Sequence, residues 1–278
     1  MYWNDKLIKD IIERAILEDI WTGDLTSDSL IPEEDIGNGL IMAKEEGIIA
    51  GLPIAEKVFY QFSDEIVFDY LLNDGDRIEP GQGIARLKGP ISEILKGERI
   101  ALNFLQRLSG IATRTNKYVK KISNYPVKIV DTRKTTPTLR ILEKYAVRVG
   151  GGYNHRMGLY DAVMIKDNHI FAAGGIYKAI NKIKEQLGHT TKIEVEVEDF
   201  TGIEEALRAG ADIIMLDNMD ISEMSRAVEI IDNQAIVEAS GGITLEDLIE
   251  VAATGVDIIS AGALTHNIKS LDISLNLE

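Results

Sequence analysis

Cysteine is absent from the 278 residues, which excludes disulfides, thiolate catalysis and cysteine-held metals. A reducing cytoplasm is the simplest setting for such a chain. No apolar run approaches the ~20 residues of a membrane-spanning helix, so no membrane association is expected. The opening residues Met1-Tyr2-Trp3-Asn4-Asp5 show neither a basic stretch nor an apolar one, and no secretory signal is expected. Positive charge is in deficit: 30 Lys and Arg stand against 45 Asp and Glu, a formal charge of −15. A field of that sign repels polyphosphate and argues against general nucleic-acid binding. Several catalytic signatures are also missing. There is no Walker loop, no Gly-x-Gly-x-x-Gly after a strand, no Gly-x-Ser-x-Gly and no His-Glu-x-x-His. The four histidines, His155, His169, His189 and His266, lack metal-ligand spacing.

What is present is enough apolar material for a folded chain. Hydrophobic residues make up 45%, which is sufficient to offset the entropy of ordering. The first hundred residues read as mixed α and β. Leu7, Ile8, Ile11, Ile12, Ala15 and Ile16 fall at helical spacing. Gly39–Ala43 and Gly47–Ala50 read as strands, and Asn73-Asp74-Gly75-Asp76 and Glu79-Pro80-Gly81-Gln82-Gly83 as tight turns. A long helix is expected over Gly97–Tyr118. A domain boundary is placed near residue 112, with residues 1–112 forming an α+β domain and 113–266 a second one.

Beyond residue 125 the rhythm becomes regular. Six short runs rich in Val and Ile appear: Val127–Val130, Ala162–Ile165, Ile193–Val197, Asp212–Leu216, Ala235–Glu238 and Asp257–Ala261. Helical patterns separate them, at Leu139–Val149, Ile176–Leu187, Ile203–Ala209, Ser222–Ile231 and Leu245–Ala253. Alternation of this kind predicts parallel strands buried on both faces. Polar and glycine residues follow each run: Asp131-Thr132-Arg133-Lys134, Lys166-Asp167-Asn168-His169, Glu196 with Glu198, Asp217-Asn218, Ser240-Gly241-Gly242 and Gly262-Ala263. In a parallel barrel these carboxyl ends share the face that carries chemistry. An open doubly wound sheet would use fewer of them, so an α/β barrel, closed or nearly so, is the expectation.

The charges at those ends suggest a ligand. Between Asp131 and His169 seven cations stand against four acids, in an otherwise acidic chain. Arg140, Lys144 and Arg148 read as a solvated helix face. Arg133, Arg156 and Lys166, with Lys134 beside them, could hold a small dicarboxylate, because guanidinium forks match carboxylates and lysine adds a point charge. Glu196 and Asp217 could hold Mg²⁺, or stabilise positive charge on a reacting sugar carbon. Glu194, Glu196 and Glu198 point to one side of their strand, at a cost unless a cation is near; a solvated rim is the bland alternative. Ser240-Gly241-Gly242 and Ala261-Gly262-Ala263 could cradle a phosphate on backbone N–H groups. Together these features suit transfer of a phosphorylated sugar to an anionic acceptor.

At this point a family resemblance enters. Asp131-Thr132-Arg133-Lys134-Thr135-Thr136-Pro137, Gly151-Gly152-Tyr153-Asn154-His155-Arg156-Met157-Gly158-Leu159, Ile165-Lys166-Asp167-Asn168-His169, Glu194-Val195-Glu196-Val197-Glu198, Leu216-Asp217-Asn218, Glu238-Ala239-Ser240-Gly241-Gly242-Ile243 and Gly262-Ala263-Leu264-Thr265-His266 resemble the quinolinate phosphoribosyltransferases, also called nicotinate-nucleotide pyrophosphorylases (carboxylating). So do Gly97-Glu98-Arg99-Ile100-Ala101-Leu102-Asn103 and Leu108-Ser109-Gly110-Ile111-Ala112-Thr113. The likeness runs from about Asp24 to His266 in unbroken order.

The resemblance implies an incomplete (β/α) barrel preceded by an α+β domain, to which the tail, residues 267–278, returns. It implies that quinolinate attacks C1 of phosphoribosyl pyrophosphate, with loss of pyrophosphate and CO₂, to give nicotinate mononucleotide for NAD synthesis. It implies a homodimer or higher assembly in which Arg99 reaches a neighbouring subunit's pocket. Thr132, Arg133, Lys134, His155, Arg156 and Lys166 would bind quinolinate, with Lys134 and Lys166 catalytic. Glu196 and Asp217 would hold ribose and Mg²⁺, and the two small-residue turns the 5′-phosphate. One departure stands out: Thr138 occupies a place where the family is expected to carry glycine. The competing readings are a related phosphoribosyltransferase of molybdenum-transport operons, a nicotinate phosphoribosyltransferase without decarboxylation, a Schiff-base aldolase using Lys166, and a ligand-binding barrel without activity.

Overall fold

The computed structural model of the chain describes residues 4–278. In chain order, the first part holds α1 (Asp5–Asp19), α2 (Ser27–Leu30), β1 (Ile36–Ala43), β2 (Gly47–Ile48), α3 (Leu52–Phe59), β3 (Val67–Tyr70), β4 (Arg77–Ile78), β5 (Gly83–Pro90) and α4 (Ile91–Lys121). The strand–helix alternation follows with β6 (Lys128–Val130), α5 (Arg140–Val149), β7 (Val163–Ile165), α6 (Asp167–Ala173), α7 (Ile176–Lys184), β8 (Ile193–Val197), α8 (Phe200–Ala209) and β9 (Ile213–Asp217). It continues with α9 (Ile221–Ile231), β10 (Ile236–Ser240), α10 (Leu248–Ala253), β11 (Ile258–Ser260), α11 (Ala263–His266) and β12 (Ile273–Leu277).

Two compact units result. The first comprises residues 1–116, 135–151 and 265–278. Its antiparallel sheet has the order β12-β1-β5-β3, so the last strand of the chain pairs with the first, Gly39 opposite Leu277 and Ala43 opposite Ile273. The long helix α4 begins directly after Pro90, where Ile91 N–H donates to Asp35 O at 2.9 Å. It buries Ile94, Ala101, Leu105, Leu108, Ile111 and Ala112, a three-and-four spacing that makes one apolar face. The tail lies against the same helix. Leu271 N–H donates to Gln106 O at 2.9 Å, and Gln106 Nε2 donates to Ile273 O at 2.8 Å.

Residues 135–151 cluster with this first unit, although the sequence rhythm assigns them to the barrel. Side chains spaced far apart in sequence explain it. Glu143, fully buried, accepts from Arg107 Nε at 3.0 Å and from its terminal nitrogen at 2.6 Å. The same carboxylate accepts from Thr136 N–H at 3.1 Å. Tyr145 donates its hydroxyl to Asp74. Lys144 corrects the expectation of a solvated helix face, because it is 1% exposed. Arg148 is exposed, and Arg140 is half-buried, donating to Thr135 Oγ1 at 2.9 Å.

The second unit, residues 117–134 and 152–264, holds a six-stranded sheet of order β6-β11-β10-β9-β8-β7. Every pairing is parallel. Beyond β6 a further parallel bridge joins Val130 to Tyr153. Ile165, Val195, Val197, Ile214, Leu216, Val237, Ala239 and Ile259 are buried. Removal from water stabilises each large side chain by roughly 1.5–3 kcal/mol. Local chemistry sets the returns between strands. Asp199 caps α8 through Gly202 N–H at 2.7 Å, and Asp220 with Glu223 forms a reciprocal capping box on α9. Because all six strands run one way, their carboxyl ends lie along one rim.

Candidate active site

The rim begins after β6. Asp131 is fully buried and organises the segment that bridges to it, accepting from Asn154 Nδ2 at 2.6 Å and from His155 N–H at 2.9 Å. This carboxylate therefore ties the Asp131–Lys134 turn to the Asn154–Arg156 segment. Thr132 Oγ1 accepts from Lys134 N–H at 3.0 Å, which shapes the turn, while Arg133 and Lys134 are exposed. Arg156 is half-buried, with its guanidinium 3.3 Å from Ala162 O. Burial first, and then the Arg133 charge beside it, hold Arg156 below its ordinary basicity. A half-buried Arg156 guanidinium with the exposed Arg133 charge nearby forms a receptor for an anion.

After β7 the chain enters α6 at once, a helix that the sequence reading did not separate from the Lys166-Asp167-Asn168-His169 motif. Lys166 is its N-cap residue, and its backbone N–H donates to His169 Nδ1 at 3.1 Å. The Lys166 ammonium makes an ion pair with Glu196 on β8. The alternation of Glu194, Glu196 and Glu198 resolves into three different environments. Glu194 is buried, Glu196 is half-buried against Lys166, and Glu198 is exposed. Asp217, at the end of the neighbouring β9, is half-buried and accepts from Asn218 Nδ2 at 2.8 Å. Glu196 and Asp217 thus offer hard oxygen donors from adjacent strands, a donor set that suits Mg²⁺.

The turn after β10 is built for close approach. Gly241 has φ +99°, and a Cβ there would stand 2.3 Å from Asn218 Oδ1 and 2.7 Å from its backbone nitrogen. Glycine is therefore required twice over, by its backbone angle and by contact. At Gly242, with φ +61°, a Cβ would meet nothing within 4 Å. Ser240 and Gly241 are half-buried and Gly242 exposed, a small-residue turn of the type that takes phosphate. Ala261 is buried after β11, and Gly262 and Ala263 are half-buried beside it in sequence. Arg99 is exposed on α4 in the first unit.

Beneath the rim lies a group that the sequence reading did not assign. Glu238 on β10 is 2% exposed and Glu194 on β8 3%, and both face the imidazole of His155. Its Nε2 lies 3.2 Å from Glu194 Oε2 and 3.6 Å from Glu238 Oε1. Burial, and then the Glu194 charge, push Glu238 up to about 7. An acid within a buried Val-Ile run is the one sequence signal that could have found it.

The chain is similar to known proteins along nearly its whole length. Residues 24–109 match the family model described as quinolinate phosphoribosyl transferase, N-terminal domain, and residues 111–276 match the C-terminal domain model. The chain belongs to the quinolinate phosphoribosyltransferase family. A relative from Bacillus subtilis (strain 168), described as a probable nicotinate-nucleotide pyrophosphorylase [carboxylating], is 48% identical over 99% of this chain and 94% of its own length. A quinolinate phosphoribosyltransferase [decarboxylating] from Nicotiana tabacum is 40% identical over 98% of this chain and 82% of its own. The crystal structure of NadC from Streptococcus pyogenes superposes with a TM-score of 0.96 at 41% identity, over 100% of this chain and 99% of that one. The two quinolinate phosphoribosyltransferase domain models together cover residues 24–109 and 111–276, which include every strand end of the rim described above.

Proposed function

We infer that the chain is a decarboxylating quinolinate phosphoribosyltransferase of NAD biosynthesis. The observation that carries this reading is the placement of Arg133, Lys134 and Lys166 after parallel strands, with the Asn154–Arg156 segment tied to the first of these strands through Asp131, on the same rim as Glu196, Asp217 and the glycine turn. A cationic receptor suits the two carboxylates of quinolinate. The turns at Ser240-Gly241-Gly242 and Ala261-Gly262-Ala263 suit the 5′-phosphate of phosphoribosyl pyrophosphate.

The chemistry follows from that placement. The quinolinate ring nitrogen forms a bond to C1 of the ribose while the bond from C1 to the pyrophosphate oxygen breaks, and its electron pair leaves with pyrophosphate. Charge that builds on C1 in this step is positive, and preorganised carboxylates favour it. Glu196 and Asp217 fill that role. The alkylated ring nitrogen then carries a positive charge, so the pair left on C2 when CO₂ departs is stabilised, and C2 takes a proton. Arg133, Lys134, Arg156 and Lys166, with Thr132 shaping their turn, hold the carboxylates and orient the ring, which converts encounter into a near-attack geometry. Glu196 and Asp217 would hold Mg²⁺, which supplies neutralising charge to the leaving pyrophosphate when bound.

The family resemblance also supports a homodimer or higher assembly with Arg99 reaching the neighbouring subunit. For a cysteine-free chain we propose a cytoplasmic location. Among the described residues no helix is long and apolar enough to cross a membrane. The deciding experiment incubates the protein with quinolinate, phosphoribosyl pyrophosphate and Mg²⁺, and follows nicotinate mononucleotide by mass spectrometry together with CO₂. Product is expected from the native chain, and its loss in Arg133→Ala, in Lys166→Ala and on omission of Mg²⁺. No product from well-folded protein rejects the reading.

A further inference from the structure

We propose that Glu194 and Glu238 are positioning residues for the acceptor pocket, which fix His155 as the Nε2–H tautomer and through it aim Arg156. The proposal deepens the function inferred above and rests on it. Both nitrogens of the ring are engaged. On one side, Arg156 N–H donates to His155 Nδ1 at 2.7 Å, so Nδ1 offers its lone pair and carries no proton. The proton of the neutral ring is then on Nε2. On the other side, Nε2 lies 3.3 and 3.2 Å from the two Glu194 oxygens and 3.6 Å from Glu238 Oε1. Glu238 Oε1 is fully buried and accepts no hydrogen bond; Nε2 lies on its side of the ring at 3.6 Å, and the Ser260 hydroxyl is a further polar group beside this carboxyl.

The arrangement runs from the barrel interior to the rim. Glu194 and Glu238 stand on β8 and β10, either side of β9, and the ring spans the distance to them from the 152–156 segment. That segment is fixed independently by Asp131, which accepts from His155 N–H at 2.9 Å. With its main chain held by Asp131 and its ring by the two glutamates, His155 clamps the peptide N–H of the next residue, Arg156. The glutamates thereby act, through the ring, on the backbone from which the Arg156 guanidinium extends. His155 is thus held in one orientation beside Arg156 in the acceptor pocket.

The same three side chains bring candidate ligand atoms within 4.8 Å of one another, the spacing of a metal cage. The Nδ1 contact argues against that occupant. A metal on Nε2 would leave both ring nitrogens without protons while Nδ1 accepts, which demands an imidazolate.

The test compares Glu194→Leu and Glu238→Leu with Glu194→Gln and Glu238→Gln, in full-length protein, using steady-state kinetics in both substrates. The Leu variants keep the shape and remove the acceptor. They are expected to raise KM for quinolinate by about tenfold or more, with KM for phosphoribosyl pyrophosphate unchanged within about twofold. The Gln variants retain an amide oxygen as acceptor and are expected to recover most of the loss. Equal effects on both substrates, or no recovery by Gln, assign the pair a merely structural role and overturn the proposal. The ¹⁵N shifts of the His155 ring, assigned with His155→Gln, provide a readout independent of turnover. A pyridine-type Nδ1 with a pyrrole-type Nε2 is expected. A proton on Nδ1, or stoichiometric metal lost in Glu194→Gln, overturns the proposal even if the native chain is fully active. Failure of the native chain to make nicotinate mononucleotide overturns the functional reading instead, and with it the aim assigned to Arg156.

Discussion

Thr138 adopts φ +71°, a left-handed backbone in which a β-branched side chain crowds its own carbonyl. The resemblance noted above led to an expectation of glycine there, and the backbone has the conformation that glycine favours. Thr138 is exposed, so its side chain has little packing to lose. Thr138→Gly is expected to stabilise the chain by roughly 1 kcal/mol, read as a rise in the denaturant midpoint; a fall would show that the threonine makes compensating contacts. Glu238 is a second residue with a measurable consequence. Its carboxyl is pushed up to about 7 from 4.5, so the folded state binds this proton more tightly than the unfolded state does. The associated stability is fully present below about pH 4.5 and is lost as pH rises through 7. Glu238→Gln cannot lose a proton. Relative to the native chain it is expected to gain stability at pH 8 and to gain less at pH 5, measured by chemical denaturation at both values. An equal difference at the two pH values would contradict this titration.

Among the elements, α5 depends most on one side-chain network. Glu143 is fully buried, and Arg107 and Thr136 satisfy it. Arg107→Met removes its charged partner and leaves a buried carboxylate, at an expected cost of about 3 kcal/mol in the equilibrium unfolding free energy. The double variant Arg107→Met with Glu143→Leu should recover much of it, and failure to recover would mean that packing, not charge, holds the helix. The network also explains what the sequence left hidden. The barrel strands were legible because burial on both faces leaves unbroken Val-Ile runs, and β8 matches the expected Ile193–Val197 exactly as spaced. The strand-end residues were legible because parallel strands gather them. By contrast, α3, β3 and β5 went unread, since their short patterns sit among turn signals. The membership of α5 in the first unit rests on contacts with Arg107 and Asp74, which no local pattern announces. Buried Glu238 and its link to His155 likewise needed the barrel to bring β8 and β10 beside one residue.

For the whole molecule, the open question is how copies cooperate. If Arg99 completes a neighbouring site, chains carrying Arg99→Ala and chains carrying Lys166→Ala should be inactive apart and active together. Random mixing of two such chains into dimers leaves half the dimers hybrid, each with one intact site. About a quarter of native activity is therefore expected after co-refolding equal amounts. No recovery would place Arg99 in its own chain's site or outside catalysis.

The pairing of β12 with β1 has a consequence for synthesis. A chain emerging from the ribosome usually completes its first domain first. Here the barrel strands are all available before the last dozen or so residues appear, whereas the sheet that begins with Ile36 lacks its edge strand until Ile273–Leu277 arrive. The part of the molecule made earliest is thus the part finished last. Until Ile273–Leu277 are in place, β1 presents an open edge, the kind of surface on which nascent chains adhere to one another.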